Sequence, residues 1–503
     1  MLKQKSFLSL IMSVLQQAIG FVSVFFVARL MGPRDLGVYS ACLAFATMFM
    51  TFGDWGYGLA HVKKVSERLD ISRCVGTYVW IQAASTSAVV IIGTAVLFYG
   101  EHFLRMTLVP DSQYGLFLII LLSVVIGNLT QVFQYTYAAL VETAKQWATL
   151  FSTRFVTVAL KVVTAIFGLG VLFLGVSNLV GSIVGIAVAI FFFRGVKIGK
   201  FDKEYFKLYT RFAIPSFFIG FAAAISIQLD KVFLTWLSST TQVGYYAAAQ
   251  SLVMVFMFVD GMLVSLLLPT YSKMNSEGDL KGISELSHKI ERYTAIPLMG
   301  LGLFVILFSD PLERVIFGSK FVESSSVVKI LVINAIVLIF AQPYTSQLMG
   351  LNKIKLSAKI SVIMLLANVA LYLILVPKTL YGMTLFGLGA NGTALSLLVS
   401  NVAGTMAFRY YAFRFTNSKP NYSLAGYLLI SVVLFGTVYY LLADVILVRS
   451  NVLLLVAGLL ALGAYFLALW FFHLFSISDL QFYTNFVNPN KLLSYVRSEL
   501  KPE

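Results

Sequence analysis

The sequence predicts an all-α polytopic membrane protein, and three observations lead to this prediction. Of the 503 residues, 59% are hydrophobic and only 12% are charged, whereas soluble domains average about 25% charged residues. The mean hydropathy is +0.87. The apolar residues fall in long unbroken runs rather than in alternation with polar ones. A surface this poor in charge needs lipid as its solvent, and the unbroken runs exclude a membrane β-barrel.

Fourteen segments are apolar over roughly the 20 residues that a transmembrane helix requires. Their approximate limits are 8–30, 37–60, 75–99, 114–139, 147–168, 170–193, 211–237, 243–269, 293–309, 326–349, 357–377, 385–412, 422–447 and 451–473. Lipid offers the backbone no hydrogen bonds, so each segment is predicted to be a helix. The first segment is too long for a signal peptide and lacks a clear cleavage site, and we expect it to be retained.

The basic residues predict the orientation of these helices. When the loops are assigned alternately to two sides, 26 of the 37 lysines and arginines fall on one side, 8 on the other and 3 within helices. The positive-inside rule then places both termini in the cytoplasm. The net charge of +15 therefore indicates contact with anionic lipid headgroups, and no nucleic acid is expected as a partner.

An internal repeat is visible at an offset of 207 residues. Phe26, Leu30, Gly37, Tyr39 and Ala41 match Phe233, Leu237, Gly244, Tyr246 and Ala248. Six helices separate the copies, and because six is even, both copies share one orientation, which describes a parallel repeat. We expect two six-helix lobes with a cavity between them. The predicted parts are an N-lobe (1–193), a basic cytoplasmic linker (194–210), a C-lobe (211–412), two added helices (413–473) and a cytoplasmic amphipathic tail (474–503).

The basic linker allows two interpretations. Phe201, Tyr205, Leu208 and Phe212 recur at helical spacing among lysines, as in an interfacial helix that lies on an anionic inner leaflet. An ordinary basic loop explains the same residues equally well.

Charges inside the predicted helices indicate where function lies, because each costs about 2.5–3.5 kcal/mol to insert. Arg154 and Lys161 are seven residues apart on the fifth helix, so they share one face. Together with Lys231 they are predicted to form a cationic cavity for an anionic group such as a diphosphate, which the arginine fork binds with two hydrogen bonds.

Three carboxylates are candidates for a gate or for ion coupling: Asp54, Asp230 and Asp260. Asp260 or Asp54 is expected to pair with Arg154 when the inner side closes. A structural interpretation also exists, in which Arg154 pairs statically with Asp54 or reaches the inner headgroups. We find no catalytic or metal-binding motif and expect no cofactor, while coupling to H⁺ or Na⁺ remains open.

Four segments carry a resemblance to a known family. They are ARLMGPRDLGVYS at 28–40, QLDKVFLTWLSSTTQVGYYAAAQ at 228–250, LLPTYSK at 267–273 and LMGLNKIK at 348–355. In their order and spacing the chain resembles polysaccharide exporters of the multidrug/oligosaccharidyl-lipid/polysaccharide (MOP) flippase superfamily, including O-antigen flippases of the Wzx type. The chain departs from this family at FGDWG, residues 52–56, where members more often have a neutral segment. Asp54 is therefore a candidate for recognising a particular substrate or coupling ion.

The resemblance implies a MATE-like fold, no enzymatic activity and alternating access. The implied cargo is a polyprenyl-diphosphate-linked oligosaccharide, moved from the cytoplasmic to the outer leaflet for a surface polysaccharide such as the O-antigen of lipopolysaccharide. Glycan polymerase or assembly enzymes are possible partners.

Three other functions can be weighed against the sequence. A MATE-type drug or cation antiporter needs an acidic cavity, whereas Lys161 and Arg154 are basic. A membrane-embedded polysaccharide polymerase or ligase needs a long outside loop with catalytic residues, but the outside loops are short. A structural scaffold does not explain charges in several helices.

Overall fold

In the computed structural model, the chain is built almost entirely of α-helices. The structure describes residues 2–67, 69–102, 109, 113–416, 451–475, 479 and short stretches between 426 and 440. The helices are α1 (Leu2–Met31), α2 (Pro33–Asp54), α3 (Tyr57–Ser66), α4 (Ile71–His102), α5 (Tyr114–Ala139), α6 (Thr143–Ile166), α7 (Val171–Phe193), α8 (Lys203–Leu237), α9 (Thr240–Ser276), α10 (Leu280–Leu307), α11 (Ser309–Ile316), α12 (Ser325–Gly350), α13 (Ile354–Leu375), α14 (Gly389–Thr416) and α15 (Asn451–Phe471). A 3₁₀ helix covers Ser319–Ser324, and strands β1 (Thr379–Leu380) and β2 (Met383–Thr384) pair in an antiparallel hairpin.

The helices are long and apolar, as the composition predicts. Within the described residues, nine of them have the length and hydropathy to cross a membrane. The prediction of an all-α polytopic membrane protein is therefore confirmed. The count of fourteen spans stays a prediction. The predicted span at 422–447 lies mostly outside the described residues, and so does most of the predicted tail at 474–503.

Two predicted boundaries differ from the observed helices for local reasons. The predicted second span reaches residue 60, but α2 ends at Asp54 because Trp55 (φ 47°) and Gly56 (φ 79°) both adopt left-handed backbone angles. At the other boundary, α8 begins at Lys203 because the Asp202 carboxylate accepts the backbone N–H of Glu204. The second half of the predicted basic linker is therefore helical and continuous with the following span.

The described residues up to 247 form one compact unit, in which small residues let α6 and α7 approach closely. A Cβ on Gly181 or Gly185 of α7 would overlap with the side chain of Thr157 or Thr153 of α6. The Tyr137 hydroxyl of α5 donates to the Ala189 carbonyl oxygen of α7 at 2.7 Å. These contacts fix how α6 and α7 present their polar side chains.

The described residues from 248 onward form a second compact unit around α10, α12 and α14. Gln347 of α12 donates to the Ala412 carbonyl oxygen of α14 at 3.3 Å. The Tyr465 hydroxyl of α15 donates to the Ile296 carbonyl oxygen of α10 at 2.9 Å. Side-chain hydrogen bonds to backbone thus tie these apolar helices together. The lobe boundaries inferred from the repeat stay a prediction.

Candidate functional site

Three helices of the first unit bring polar side chains together around the hydroxyl of Tyr39, which lies on α2. Lys161 of α6 donates to the Tyr39 oxygen, and its Nζ lies 4.5 Å from the centroid of the Tyr39 ring. Asn178 Nδ2 of α7 donates to the same oxygen at 2.7 Å. Lys161 is only 6% exposed, and among the described residues it forms no ion pair. Its charge is therefore stabilised by a neutral hydroxyl and an aromatic face.

The last turns of α8 add one acidic and one basic residue beside this cluster. The Asp230 carboxylate is 3% exposed and accepts the Tyr246 hydroxyl of α9 at 2.6 Å. It also accepts the backbone N–H of Lys231 at 2.7 Å. Of the predicted cationic cavity, Lys161 donates to Tyr39, whereas Lys231 interacts first with the adjacent Asp230 and more weakly with Tyr39.

Two glycines at repeat-related positions bring the first turns of α2 and α9 into contact. A Cβ on Gly37 would overlap with the Thr240 carbonyl oxygen, and a Cβ on Gly244 would overlap with that of Pro33. Pro33 and Thr240 are themselves related by the offset of 207 residues. The contact is reciprocal, as in a two-fold interface. Tyr39 follows Gly37 by two residues, so this crossing lies next to the polar cluster.

Arg154, the third member of the predicted cavity, has different surroundings. Its side chain is exposed, and its guanidinium lies against Gly20 of α1. Arg154 and Lys161 are seven residues apart, or about 10 Å along α6, and Lys161 is directed to α2 and α7. Arg154 forms no ion pair with Asp54 in this structure. The cationic role of Arg154 and the gate stay predictions.

Asp54 stabilises the break between α2 and α3. Its Oδ1 accepts the backbone N–H of Gly58 at 2.8 Å and the Tyr78 hydroxyl at 3.2 Å. A carboxylate in this position satisfies an orphan donor in the first turn of α3, as an N-terminal cap does. The structure thus shows a local role for the residue at which the chain departs from the family that its sequence resembles, and the roles of Asp54 in gating or ion coupling stay predictions.

Asp260 lies on α9 in the second unit. Its side chain is partly buried and interacts with Gln342 of α12. Its Oδ1 is buried and has no hydrogen-bond partner among the described residues. A carboxylate oxygen in this condition has capacity to accept a further donor, and its predicted role in the gate stays untested.

One ion pair inside the second unit was missed by the sequence analysis. The Arg409 guanidinium of α14 forms an ion pair with the fully buried Glu291 carboxylate of α10, with 2.9 Å between nitrogen and oxygen. The predicted span began at residue 293, but α10 begins at Leu280, so Glu291 lies well inside the helix. The sequence did contain a signal that Glu291 lies on a buried helical face. Ser287, Glu291 and Ala295 recur every four residues, and all three are buried on one face of α10.

A second buried polar group, His61 of α3, was also not predicted. Its Nδ1 lies 2.8 Å from the Tyr209 hydroxyl and its Nε2 lies 2.8 Å from the Thr136 hydroxyl. Thr136 already donates its proton to the Val132 carbonyl oxygen, so it accepts from His61. The neutral tautomer with its proton on Nε2 therefore donates to Thr136 and leaves Nδ1 to accept the Tyr209 hydroxyl at the shorter of that hydroxyl's two contacts, the other being 3.4 Å to the Cys74 carbonyl oxygen. This network joins α3, α5 and α8.

A metal site is not visible in the described part of the chain. No three His, Cys, Asp or Glu side chains there are grouped to hold an ion. Cys42 and Cys74 are both buried free thiols.

Comparison with protein families and curated sequences gives one match. A family model described as polysaccharide biosynthesis protein matches residues 2–275, which is more than half of the chain. A comparison with curated protein sequences gives no match.

Solved structures show a similar fold. The lipid II flippase MurJ in an inward closed conformation aligns with a TM-score of 0.70 and 14% identity, covering 92% of this chain and 98% of its own. An inward-facing multidrug resistance transporter of the MATE family aligns with a TM-score of 0.61 and 13% identity, covering 80% and 96%. A MOP superfamily transporter from Pyrococcus furiosus gives 0.50 and 13%, covering 81% and 93%. The chain therefore shares the fold of these solved transporters.

Proposed function

This chain belongs to the polysaccharide biosynthesis protein family, and we propose that it is a flippase for a polyprenyl-diphosphate-linked oligosaccharide. It carries the headgroup from the cytoplasmic to the outer leaflet of the cell inner membrane, for assembly of a surface polysaccharide such as O-antigen. Both termini are cytoplasmic in this proposal. The family, and a fold shared with a lipid II flippase, support a lipid-linked cargo.

The observation that carries this proposal is the environment of Lys161. An ammonium group buried in a membrane protein is costly and normally faces a partner or a substrate pathway. Lys161 has only neutral acceptors among the described residues, namely the Tyr39 hydroxyl and ring. This excess of positive charge favours an anionic ligand, and the diphosphate of a lipid-linked glycan supplies it.

The proposed transport step follows from the path by which the charged diphosphate must cross the membrane. The polyprenyl tail stays in the lipid, while the diphosphate and the glycan pass through a hydrated cleft between two lobes. Arg154, about 10 Å along α6 from Lys161, offers a second cationic contact on this path. Its guanidinium can bind a phosphate with two parallel hydrogen bonds. The lobes interconvert between states open to each side.

Acidic residues complete the proposed cycle. Asp260 or Asp54 pairs with Arg154 as the inner side closes, and Asp230 is a candidate for coupling to H⁺ or Na⁺. The buried Oδ1 of Asp260, which accepts no hydrogen bond among the described residues, supports a partner that arrives in another state. Coupling at Asp230 is supported by its burial next to Lys231.

The test uses cells that depend on this chain for surface glycan. Lys161→Gln and Arg154→Gln, made separately, remove one positive charge each. We expect each to lower surface glycan at least tenfold and to leave lipid-linked precursor on the cytoplasmic side. Glycan is quantified by gel and precursor by mass spectrometry. Lys281→Gln is the matched control, because Lys281 lies on the surface and pairs with Glu285 at 3.9 Å.

Two outcomes contradict the proposal. Normal surface glycan from both variants at normal expression would show that the cationic site does not bind the cargo. Efflux of organic cationic dyes by the unmodified chain, without any effect on glycan when the gene is deleted, would favour the antiporter function.

A further inference from the structure

We propose that Lys161 and Asn178 form a two-donor clamp for one phosphoryl oxygen of the substrate, and that the Tyr39 hydroxyl occupies this clamp as an internal substitute when no substrate is bound. The inference rests on the proposed function, because it names two residues of the same site that the sequence did not identify as site residues. Tyr39 and Asn178 then become specificity-determining residues.

The geometry that carries this inference is the convergence of two donors on one oxygen. Lys161 Nζ comes from α6 and Asn178 Nδ2 comes from α7, and both donate to the Tyr39 oxygen. The orientation of the Asn178 amide is fixed independently, because the same Nδ2 lies 3.3 Å from the Leu174 carbonyl oxygen. Here two N–H donors on rigid neighbouring helices converge on one oxygen. Proteins bind anionic oxygens with this arrangement.

The charges of the two groups indicate that the Tyr39 phenol binds to the two donors of the clamp more weakly than a phosphate does. A phenolic oxygen is neutral, whereas hydrogen bonds to an ionised acceptor are about twice as strong. The nearby acid, Asp230, does not take the place of an anion, because its oxygens accept Tyr246 and the backbone of Lys231. A phosphoryl oxygen in place of the Tyr39 hydroxyl would therefore meet the Lys161 ammonium and a neutral amide donor.

A purely structural role for Tyr39 leads to a different expectation. In that case Tyr39 only shields Lys161 through its ring, at 4.5 Å from Nζ, and through its hydroxyl. Tyr39→Phe keeps the ring and removes the hydroxyl. A shielding role predicts equal or weaker ligand binding after this change. The clamp predicts tighter binding, because an internal competitor has been removed.

The experiment measures binding to the purified full-length chain in detergent. Farnesyl diphosphate is the probe, farnesol is the neutral comparison, and isothermal titration calorimetry is the readout. We expect Tyr39→Phe to bind farnesyl diphosphate roughly three- to tenfold more tightly, the range for one hydrogen bond that no longer competes. Asn178→Ala and Lys161→Gln should each bind at least severalfold more weakly. Farnesol should bind all variants alike.

Tyr137→Phe is the matched control for the loss of a buried tyrosine hydroxyl. Tyr137 is buried in the same unit, but it donates to the Ala189 carbonyl oxygen and is not part of the cluster. This variant should bind farnesyl diphosphate with unchanged affinity. A change equal to that of Tyr39→Phe would overturn the clamp, because it would reflect a general loosening of the fold.

The outcomes separate this inference from the proposed function. If Lys161→Gln loses binding while Tyr39→Phe binds no more tightly than the unmodified chain, Tyr39 is not an internal substitute, but the cationic site stands. If Lys161→Gln binds normally, both proposals fail. Should Tyr39→Phe not yield folded protein by size-exclusion chromatography, Asn178→Ala decides: weaker binding supports the clamp, and unchanged binding overturns it.

Discussion

Lys161 in the first unit and Arg409 in the second are both held between membrane helices, but their partners differ in kind. Arg409 forms an ion pair with the fully buried Glu291 carboxylate at 2.9 Å, and its guanidinium lies 5.2 Å from the centroid of the Tyr344 ring. Lys161 contacts the Tyr39 hydroxyl and ring and, among the described residues, no carboxylate. One cation is neutralised by the protein itself and the other is not.

This difference separates a structural charge from a candidate binding charge. A buried acid and base that neutralise each other hold two helices together, and loss of one partner leaves the other uncompensated. When a buried cation that has no acidic partner is removed, no buried carboxylate is left without its counter-charge. The free-energy cost of burying such a cation is explained most simply by a ligand that supplies the negative charge. The predictions below test this distinction, beginning with the largest expected effect.

Removal of Arg409 should be strongly destabilising. Arg409→Gln leaves the Glu291 carboxylate buried without its counter-charge, which typically costs about 3–5 kcal/mol. The measurement is reversible chemical denaturation in detergent, with Arg409→Gln/Glu291→Gln expected to recover most of the loss. Lys161→Met is the matched variant of the other cation, and we expect it to change stability by less than about 1 kcal/mol, since no carboxylate loses a partner. Equal losses from the two cations would abolish the distinction.

Gly37 lies where α2 crosses α9, next to the polar cluster around Tyr39, and we expect that no larger residue can replace it without loss of stability. Gly37→Ala introduces a Cβ that overlaps with the Thr240 backbone, and overpacking of this kind costs about 1–3 kcal/mol. Thermal unfolding followed by circular dichroism measures the effect. Gly127→Ala on α5 is the control, because no atom lies within 4 Å of its added Cβ, and alanine there favours the helix by up to about 1 kcal/mol. A Gly37→Ala protein as stable as the control would show that the two turns do not pack as described.

Glu313 on α11 is a buried acid that can be compared with Lys161, the buried cation that forms no ion pair among the described residues. It is fully buried and, unlike Glu291, forms no ion pair among the described residues. Burial raises the pKa of Glu313 to about 8, and the nearby Ser324 hydroxyl offsets only part of that rise. Above the ordinary pKa of 4.5 the unfolded chain releases this proton while the folded chain keeps it, so stability falls as pH rises toward 8.

The expected decrease is about 2 kcal/mol between pH 6 and pH 8, since the slope is about 1.4 kcal/mol per pH unit near pH 6 and falls to about half of that at pH 8, where the folded chain also releases the proton. Unfolding curves at both pH values provide the measurement. Glu313→Gln should remove this part of the pH dependence, whereas Glu285→Gln, an exposed glutamate on α10, should retain it. A pH profile that is identical for Glu313→Gln and the unmodified chain would show that this carboxyl does not stay protonated.

The fold class was predictable because it depends on composition and periodicity alone. Long apolar runs can bury their backbone only as helices, and the structure has helices at thirteen of the fourteen predicted positions within the described residues. Boundaries were less predictable where one side chain decides them. Asp202 starts α8 before its apolar run begins, and the left-handed Trp55 ends α2 within its own run.

The candidate site was predictable in part. Lys161, Lys231 and Asp230 could be selected because a charge in an apolar run is visible in the sequence. Tyr39 was visible in the repeat but not as a site residue, and Asn178 was not visible at all, because tyrosine and asparagine occur in many of these helices and only a contact shows which of them belong to the site. Gly37 and Gly244 were visible as a repeated pair, but their mutual contact was not.

By itself the sequence determined that this chain is a bundle of membrane helices with a parallel repeat and a few charges that need an explanation, because hydrophobicity, charge and periodicity are properties of residues along one line. Only the tertiary structure decided which of those charges are neutralised. Whether Lys161 meets a phenol and Arg409 meets a carboxylate depends on how separate helices pack, and that packing joins residues more than a hundred positions apart.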